Sequence, residues 1–130
     1  MSLINVPVSY GELLDKITIL EIKSERIADA DKVANVRREL DYLTETWEGS
    51  EAAGGDIGDA RARLKEVNEK LWDIEDKIRL KEGDRAFDDE FIELARAVYY
   101  TNDVRAAIKK EINLALGSEL VEEKSYQDYQ

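Results

Sequence analysis

Apolar residues recur at spacings of three and four along most of this chain, which is the periodicity of one face of an α-helix. The longest unbroken run covers residues 57–78 and predicts a helix that ends at Gly83, since glycine suits a carboxyl-terminal cap. Its members are Ile57, Ala60, Leu64, Val67, Leu71, Ile74 and Ile78. A shorter run predicts another helix that begins near Asp31. That run consists of Val33, Val36, Leu40, Leu43 and Trp47.

A first helix is predicted to begin near Ser9. Ser9 and Glu12 have the spacing of a capping box, in which the serine accepts from a free backbone amide and the glutamate reaches back to another. The apolar seam of this helix comprises Leu13, Ile17, Leu20, Ser24 and Ile27. Ile19 and Ile22 lie off that seam and widen the apolar face. We therefore expect this helix to be central and enclosed on more than one side.

The last predicted helix begins near Asp88 and ends at Gly117. Its apolar seam consists of Phe87, Phe91, Leu94, Val98, Ile108 and Ile112. Two polar residues, Thr101 and Arg105, interrupt the seam in the middle. Because a polar layer inside an apolar seam has either a structural or a binding role, this interruption is the first candidate for function.

Segments 49–58 and 84–89 separate the later helices. The first holds four glycines and predicts a flexible connector, and the second is an acidic turn. Consecutive helices joined by short loops pack against each other in opposite directions. The sequence thus predicts an all-α, antiparallel up-down four-helix bundle with long third and fourth helices. It predicts a single domain over residues 1–130, of which 118–130 form an acidic, aromatic tail.

Composition narrows the possible functions. Thirty acidic residues against nineteen basic ones give a net charge of −11, which opposes binding to nucleic acid or to an anionic membrane. No apolar stretch approaches the roughly 20 residues that span a bilayer, so we expect a cytoplasmic protein with no membrane partner. The chain has no cysteine and no histidine, which excludes disulfides, thiolate metal sites and Ser-His-Asp catalysis.

The polar layer of the last helix is the candidate ligand-binding site. Thr101, Asn102 and Arg105 place a hydroxyl, an amide and a guanidinium within about one helical turn. A guanidinium in an apolar seam requires a partner of opposite charge. That partner is either a carboxylate such as Glu21 or Glu25, or a bound anion.

The third helix presents four carboxylates beside its apolar seam, and their spacing suits magnesium coordination of the kind found in all-α nucleotide pyrophosphohydrolases. They are Glu66, Glu69, Asp73 and Asp76. Lys65, Lys70 and Lys77 alternate with them, which is typical of a solvated helix face with salt bridges. We expect no cofactor, and magnesium is the alternative.

Two stretches carry a resemblance to a known family. Residues 9–27 (SYGELLDKITILEIKSERI) and 101–113 (TNDVRAAIKKEIN) resemble an uncharacterised family of small bacterial all-helical proteins, a domain-of-unknown-function class. This resemblance implies a cytosolic protein and no particular activity. The chain is more loosely similar to the all-helical chorismate mutases, which bind a dianionic substrate among arginine and lysine side chains. That similarity would use Arg105, with Lys16 and Arg26 as contributors.

The leading functional prediction is a non-enzymatic helical interaction or assembly protein that forms a homo-oligomer. Apolar positions outside the seams, such as Ile19, Ile22 and Trp72, are the expected interface if four helices cannot cover them, and Tyr126 and Tyr129 of the tail are expected to dock on a second copy. The alternative is a small-anion-binding protein or a small all-α enzyme that uses the polar layer. Such an enzyme would be mutase-like or a magnesium-dependent nucleotide pyrophosphohydrolase.

Overall fold

The computed structural model of the protein describes residues 2–129. Four α-helices account for most of them: α1 is Tyr10–Arg26, α2 is Ala30–Glu48, α3 is Gly58–Gly83 and α4 is Asp89–Leu116. A short 3₁₀ helix, Glu51–Gly54, lies between α2 and α3, and residues 2–129 contain no β-strand. The all-α class and the long third and fourth helices are confirmed. Within the same residues, no helix is long and apolar enough to cross a bilayer.

Polar side chains at the predicted positions begin three of the helices. The Ser9 hydroxyl accepts from the backbone amide of Glu12 at 3.1 Å, and Asp88 accepts from Phe91 in the same way at the start of α4. Asp29 caps α2, so α1 and α2 are separate helices. Gly117 ends α4 with a left-handed backbone, φ 66° and ψ 40°, which glycine adopts without a steric penalty.

Helix α1 is the centre of the molecule because it packs against α2, α3 and α4, while α3 and α4 also pack against each other. The expectation of an enclosed first helix is thereby confirmed. Ile22 is one consequence: it is 2% exposed, so its predicted place in an interface is wrong. The core cluster consists of Leu13, Leu14, Ile17, Trp47, Ala52, Ile57, Ala60, Leu64, Val67, Ile108 and Ile112.

The glycine-containing connector is more ordered than expected. It holds the 3₁₀ helix, and it contributes Ala52 and Ile57 to the core. Gly55 lies so close to Leu116 that an added Cβ would come within 2.3 Å of its side chain. The glycine there serves close packing between the connector and the end of α4.

Helices α3 and α4 continue past the end of α1 as a helical hairpin. Arg26, the last residue of α1, pairs with Asp73 of α3 at 2.7 Å. Ile74 of α3 and Thr101 of α4 are buried, but no residue from 75 to 100 is buried. We call residues 75–100 the distal hairpin. The central helix therefore covers only part of the groove between α3 and α4.

Candidate functional site

A layer of charged and polar side chains crosses the core between α1, α3 and α4. At its centre Asp15 of α1 is 1% exposed, although its sequence neighbours Leu14 and Lys16 give no sign of this. Arg105 of α4 donates from both Nε and Nη2 to the two carboxylate oxygens of Asp15, and the Nε contact is 2.9 Å. Such two-point pairing is the strongest geometry available to a guanidinium and a carboxylate.

Asn68 of α3 completes the surroundings of Asp15. Its side-chain amide donates to Asp15 Oδ1 at 3.0 Å and to Thr18 Oγ1 at 3.1 Å. The Thr18 hydroxyl in turn donates to the backbone carbonyl of Asp15 at 2.9 Å. Every buried side-chain nitrogen and oxygen of the described residues has a hydrogen-bond partner. The layer is consequently satisfied by the protein itself.

Lys109 links this layer to the carboxyl-terminal tail, residues 117–129. Its ammonium group donates to Glu12 of α1 at 2.7 Å and to Glu122 of the tail at 2.9 Å, and it lies 3.9 Å from Asp15. The lysine side chain is 9% exposed. A buried ammonium with three carboxylates around it holds the tail, the first helix and the last helix at one point.

The same contacts set the protonation of these groups. Burial raises the pKa of Asp15, but the hydrogen bonds from Arg105 and Asn68 and the charges of Arg105 and Lys109 outweigh it, so its pKa lies below the usual value. Burial lowers the pKa of Lys109, yet its hydrogen bonds to Glu12 and Glu122 bring the net pKa above the usual value. Both groups are charged at neutral pH, and the layer is an ion-pair network.

A glycine allows α1 and α4 to approach closely beside this network. The backbone amide of Gly11 donates to Asn113 Oδ1 at 2.7 Å, and Asn113 is 1% exposed. A Cβ on Gly11 would lie 2.5 Å from the carbonyl oxygen of Lys109. The first turn of α1 is thereby held against the last turns of α4.

The structure places the three predicted ligand residues in different surroundings. Thr101 is buried, whereas Asn102 is half-buried and accepts from Arg105 Nη1 at 3.3 Å. Arg105 has the carboxylate partner that one alternative required, but the expectation of Glu21 or Glu25 is wrong. Those residues lie 3.8 Å from Arg61 and 2.7 Å from Lys65, respectively.

Asn102 borders open space on two sides. One cleft, of about 360 Å³, lies between α1, α3 and α4 at Ile22 and Trp72, and Arg105 also lines it. The other, of about 940 Å³, lies between α4 and the tail and is lined by Tyr99 and Tyr126. Both clefts touch the polar layer at its solvent edge and leave the Asp15 pair intact.

Two of the four predicted magnesium ligands on α3, Glu69 and Asp73, take part in surface ion pairs. Asp73 and Glu69 both face Arg26 of α1, at 2.7 Å and 3.8 Å. Across residues 2–129, no three carboxylates converge in a way that could hold a metal ion. Two of the four carboxylates thus hold the end of α1 against α3.

A second candidate site, which sequence analysis treated as core, lies on the distal hairpin. Residues 91–100 contain eight apolar or aromatic side chains and two charged ones, Glu93 and Arg96, which pair with each other at 3.1 Å. None of these ten residues is buried. We define the distal apolar face as Phe87, Phe91, Ile92, Leu94, Ala95, Val98, Tyr99 and Tyr100.

The tail meets one border of this face. The ring of Tyr129 packs edge-on against Tyr99 and Tyr100, each with centroids 5.0 Å apart, and its hydroxyl donates to Asp103. Tyr129, which was expected to dock on a second copy, thus contacts Tyr99, Tyr100 and Asp103 of its own chain. Trp72, another predicted interface residue, is half-buried under the Arg26 guanidinium. Interface residues were expected on α1 and α3, whereas the helix with the most exposed large apolar side chains is α4.

Together these features define an all-helical protein with a self-satisfied ionic layer in its core and an uncovered apolar face on a projecting hairpin. The chain belongs to a family of unknown function (DUF6165), whose model matches residues 4–129, and the predicted resemblance to such a family is confirmed. No curated protein and no solved structure gives a significant match.

Proposed function

We propose that this chain is a non-enzymatic assembly protein that associates with a second copy of itself through the distal apolar face. The observation that carries the proposal is the contrast along α4. Its apolar seam is buried at Ile108 and Ile112, where α1 covers it, whereas every side chain from residue 91 to residue 100 is half-buried or exposed. A helix face that is apolar over so wide an angle normally lies against another element.

The exposed area is large enough for an interface. Phe87, Ile92, Tyr99 and Tyr100 are between 38% and 55% exposed. Since half of a large side chain is roughly 100 Å², these four present about 400 Å² per copy, at the upper end for a monomer surface. A two-fold interface with its polar rim would reach roughly 1,000 Å², the lower limit for a specific complex.

A second copy is the favoured occupant because in a two-fold dimer each copy covers the distal apolar face of the other, and the assembly is closed. An antiparallel arrangement of the helices is part of the proposal. It is supported by the order of contacts between α1 and α4: Gly11 meets Asn113, while the later residue Asp15 meets the earlier residue Arg105. A cytoplasmic setting accords with the absence of cysteine.

The contacts of the polar layer favour this proposal over the anion-binding alternative. Arg105 and Lys109 are already paired with Asp15, Glu12 and Glu122, so their charges are balanced within the chain. A small-anion site or a magnesium-dependent activity at this layer stays a prediction of the sequence. A thermal-shift panel of phosphorylated metabolites, with and without magnesium, tests it through ligand-linked stabilisation.

Light scattering at about 100 μM tests the self-association directly. The expected mass is twice the 14.9 kDa of one chain. Ile92→Glu removes an apolar side chain that is 51% exposed and should give a folded monomer. The matched control is Leu114→Glu, a side chain 66% exposed on the same helix but outside the distal apolar face, which should remain a dimer.

Circular dichroism spectra should be nearly unchanged for both variants, because neither side chain contributes to the core. The melting temperature of Leu114→Glu should match wild type, and that of Ile92→Glu should fall only by the stabilisation that dimer formation gives at this concentration. A monomeric wild-type protein at this concentration would contradict self-association. A dimer that survives Ile92→Glu would show that another surface forms the contact.

A further inference from the structure

The chain carries a second uncovered apolar segment, residues 2–8, which we call the N-terminal arm. We propose that the arm of one copy lies across the distal apolar face of the other copy. This inference rests on the proposed self-association and names the part of the partner that covers the face.

The composition of the arm is unusual for this protein. Its sequence, SLINVPV, contains no charged residue, although 38% of the whole chain is charged. All seven residues are exposed, and Ile4 has 89% of its surface in water. The arm is not helical, and Pro7 opposes extension of α1 into it. Four large apolar side chains, Leu3, Ile4, Val6 and Val8, are therefore held out from the molecule.

The arm leaves the molecule at the end opposite to the distal hairpin. The point where the arm joins α1, which we call its root, lies beside the end of α4. There the Gly11 amide donates to Asn113 at 2.7 Å and the Tyr10 amide donates to Ser118 at 3.4 Å. Ile92 lies 21 residues before Asn113 on the same helix, which is about 32 Å at 1.5 Å per residue. The two uncovered apolar surfaces of one chain are thus far apart.

The reach of the arm excludes the far part of its own face, Phe87, Phe91 and Ile92. Residues 98–100 lie only 13–15 residues before Asn113, about 20–23 Å along α4, and Tyr129 of the tail already borders them. Seven extended residues span at most about 25 Å. The arm is therefore too short to reach Phe87, Phe91 or Ile92 of its own chain. In a two-fold dimer whose copies lie side by side in opposite directions, the root of each arm comes near the distal hairpin of the other copy.

The two surfaces match chemically. An extended arm places Ile4, Val6 and Val8 on one side, since alternate side chains of an extended chain point the same way. The stretch of α4 that would receive them, residues 91–100, has only two charged residues, Glu93 and Arg96, and these are paired with each other. Exchange of arms covers both uncovered surfaces at once, and each copy contributes the same two parts.

Crosslinking between two different single-cysteine variants tests this exchange, because the natural chain has no cysteine. Ile4→Cys protein carrying a mass tag is mixed with untagged Ile92→Cys protein, incubated to exchange subunits, and treated with a mild oxidant. The expected product is a covalent dimer with one chain of each kind. The control replaces the second partner with Tyr42→Cys, a side chain 50% exposed on α2, and should give at least tenfold less of that dimer.

A second measurement removes the arm. Deletion of residues 2–8, or the pair Ile4→Asp and Val6→Asp, should raise the dimer dissociation constant at least tenfold while the circular dichroism spectrum stays unchanged. A wild-type dimer that gives no mixed crosslink and is indifferent to the deletion overturns the arm exchange and leaves self-association standing. A monomeric wild-type protein overturns both.

Discussion

Replacing Asp15 with asparagine perturbs the molecule at its most buried charge. The substitution keeps the size of the side chain, removes its charge, and places an amide nitrogen where the carboxylate accepts from Arg105 and Asn68. Breaking a buried ion pair on one side costs about 3–5 kcal/mol. Because the Arg105 side chain is 29% exposed and water can reach part of its guanidinium, we expect about 2–4 kcal/mol.

Thermal unfolding followed by circular dichroism measures this loss. A chain of 130 residues has an unfolding entropy near 0.27 kcal/mol/K at roughly 2.1 cal/mol/K per residue, so a loss of about 3 kcal/mol lowers Tm by roughly 11 °C. The matched control is Asp59→Asn. Asp59 also pairs with an arginine, Arg63, but its side chain is 88% exposed, and Tm should not change measurably.

A double replacement sharpens the test. Asp15→Leu combined with Arg105→Met removes both charges, and it should recover most of the stability that Asp15→Leu alone loses, since a buried ion pair and an apolar pair of similar volume are often equivalent. The reasoning is refuted if Asp15→Asn costs no more than Asp59→Asn, or if the double variant is as unstable as the sum of the single ones.

Three further predictions concern the same layer. The stability advantage of wild type over Asp15→Asn should be constant from pH 5 to 8 and should shrink as pH falls below about 4. The reason is that the pKa of Asp15 is lower in the folded than in the unfolded chain, and urea titrations at each pH measure the effect. Gly11→Ala should lower Tm by roughly 4–11 °C, because the added Cβ overpacks the contact with α4. The control is Gly54→Ala, whose Cβ meets nothing within 4 Å and whose Tm should equal that of wild type. Asn68→Leu should cost about 1–3 kcal/mol in urea unfolding, because buried Thr18 Oγ1 loses its donor and Asp15 Oδ1 keeps only the one from Arg105. An unchanged midpoint would contradict the hydrogen-bond assignment.

Local sequence chemistry was sufficient to predict where the helices begin and end. Ser9 and Asp88 are short polar side chains before apolar periodic runs, and they cap α1 and α4 as expected. The spacing of apolar residues in α3 likewise identified its buried apolar side chains, although Leu71 of the same run is only half-buried. These features depend on neighbours within a few residues, which a single sequence contains in full.

The ionic layer was only half predictable. Arg105 stood out because it interrupts an apolar seam, but Asp15 lies outside the seam assigned to α1. It is buried because α1 is covered on several sides, so that positions beside the seam also lose their solvent. The available signal was the extra width of the apolar face at Ile19 and Ile22. That width predicted a central helix, as the structure confirms, but it did not identify which polar position beside the seam becomes buried.

The distal apolar face was missed for the opposite reason. Phe91, Leu94 and Val98 have the same spacing as Ile108 and Ile112, so the pattern assigned all of them to one core. Whether a periodic residue is buried depends on how far its neighbouring helix extends. Helix α1 has 17 residues against the 28 of α4, and beyond its end residues 91–100 of α4 stay half-buried or exposed.

The pairing of Asp15 with Arg105 joins residues 90 positions apart, and this separation has a consequence for synthesis of the chain. The ribosome makes the central helix first and its main polar partner last. At a translation rate of about 5–20 residues per second, roughly 5–18 s pass between the addition of Asp15 and the addition of Arg105. Throughout that interval the apolar side chains of α1 have no completed core, and the molecule cannot close until nearly its whole length has been translated.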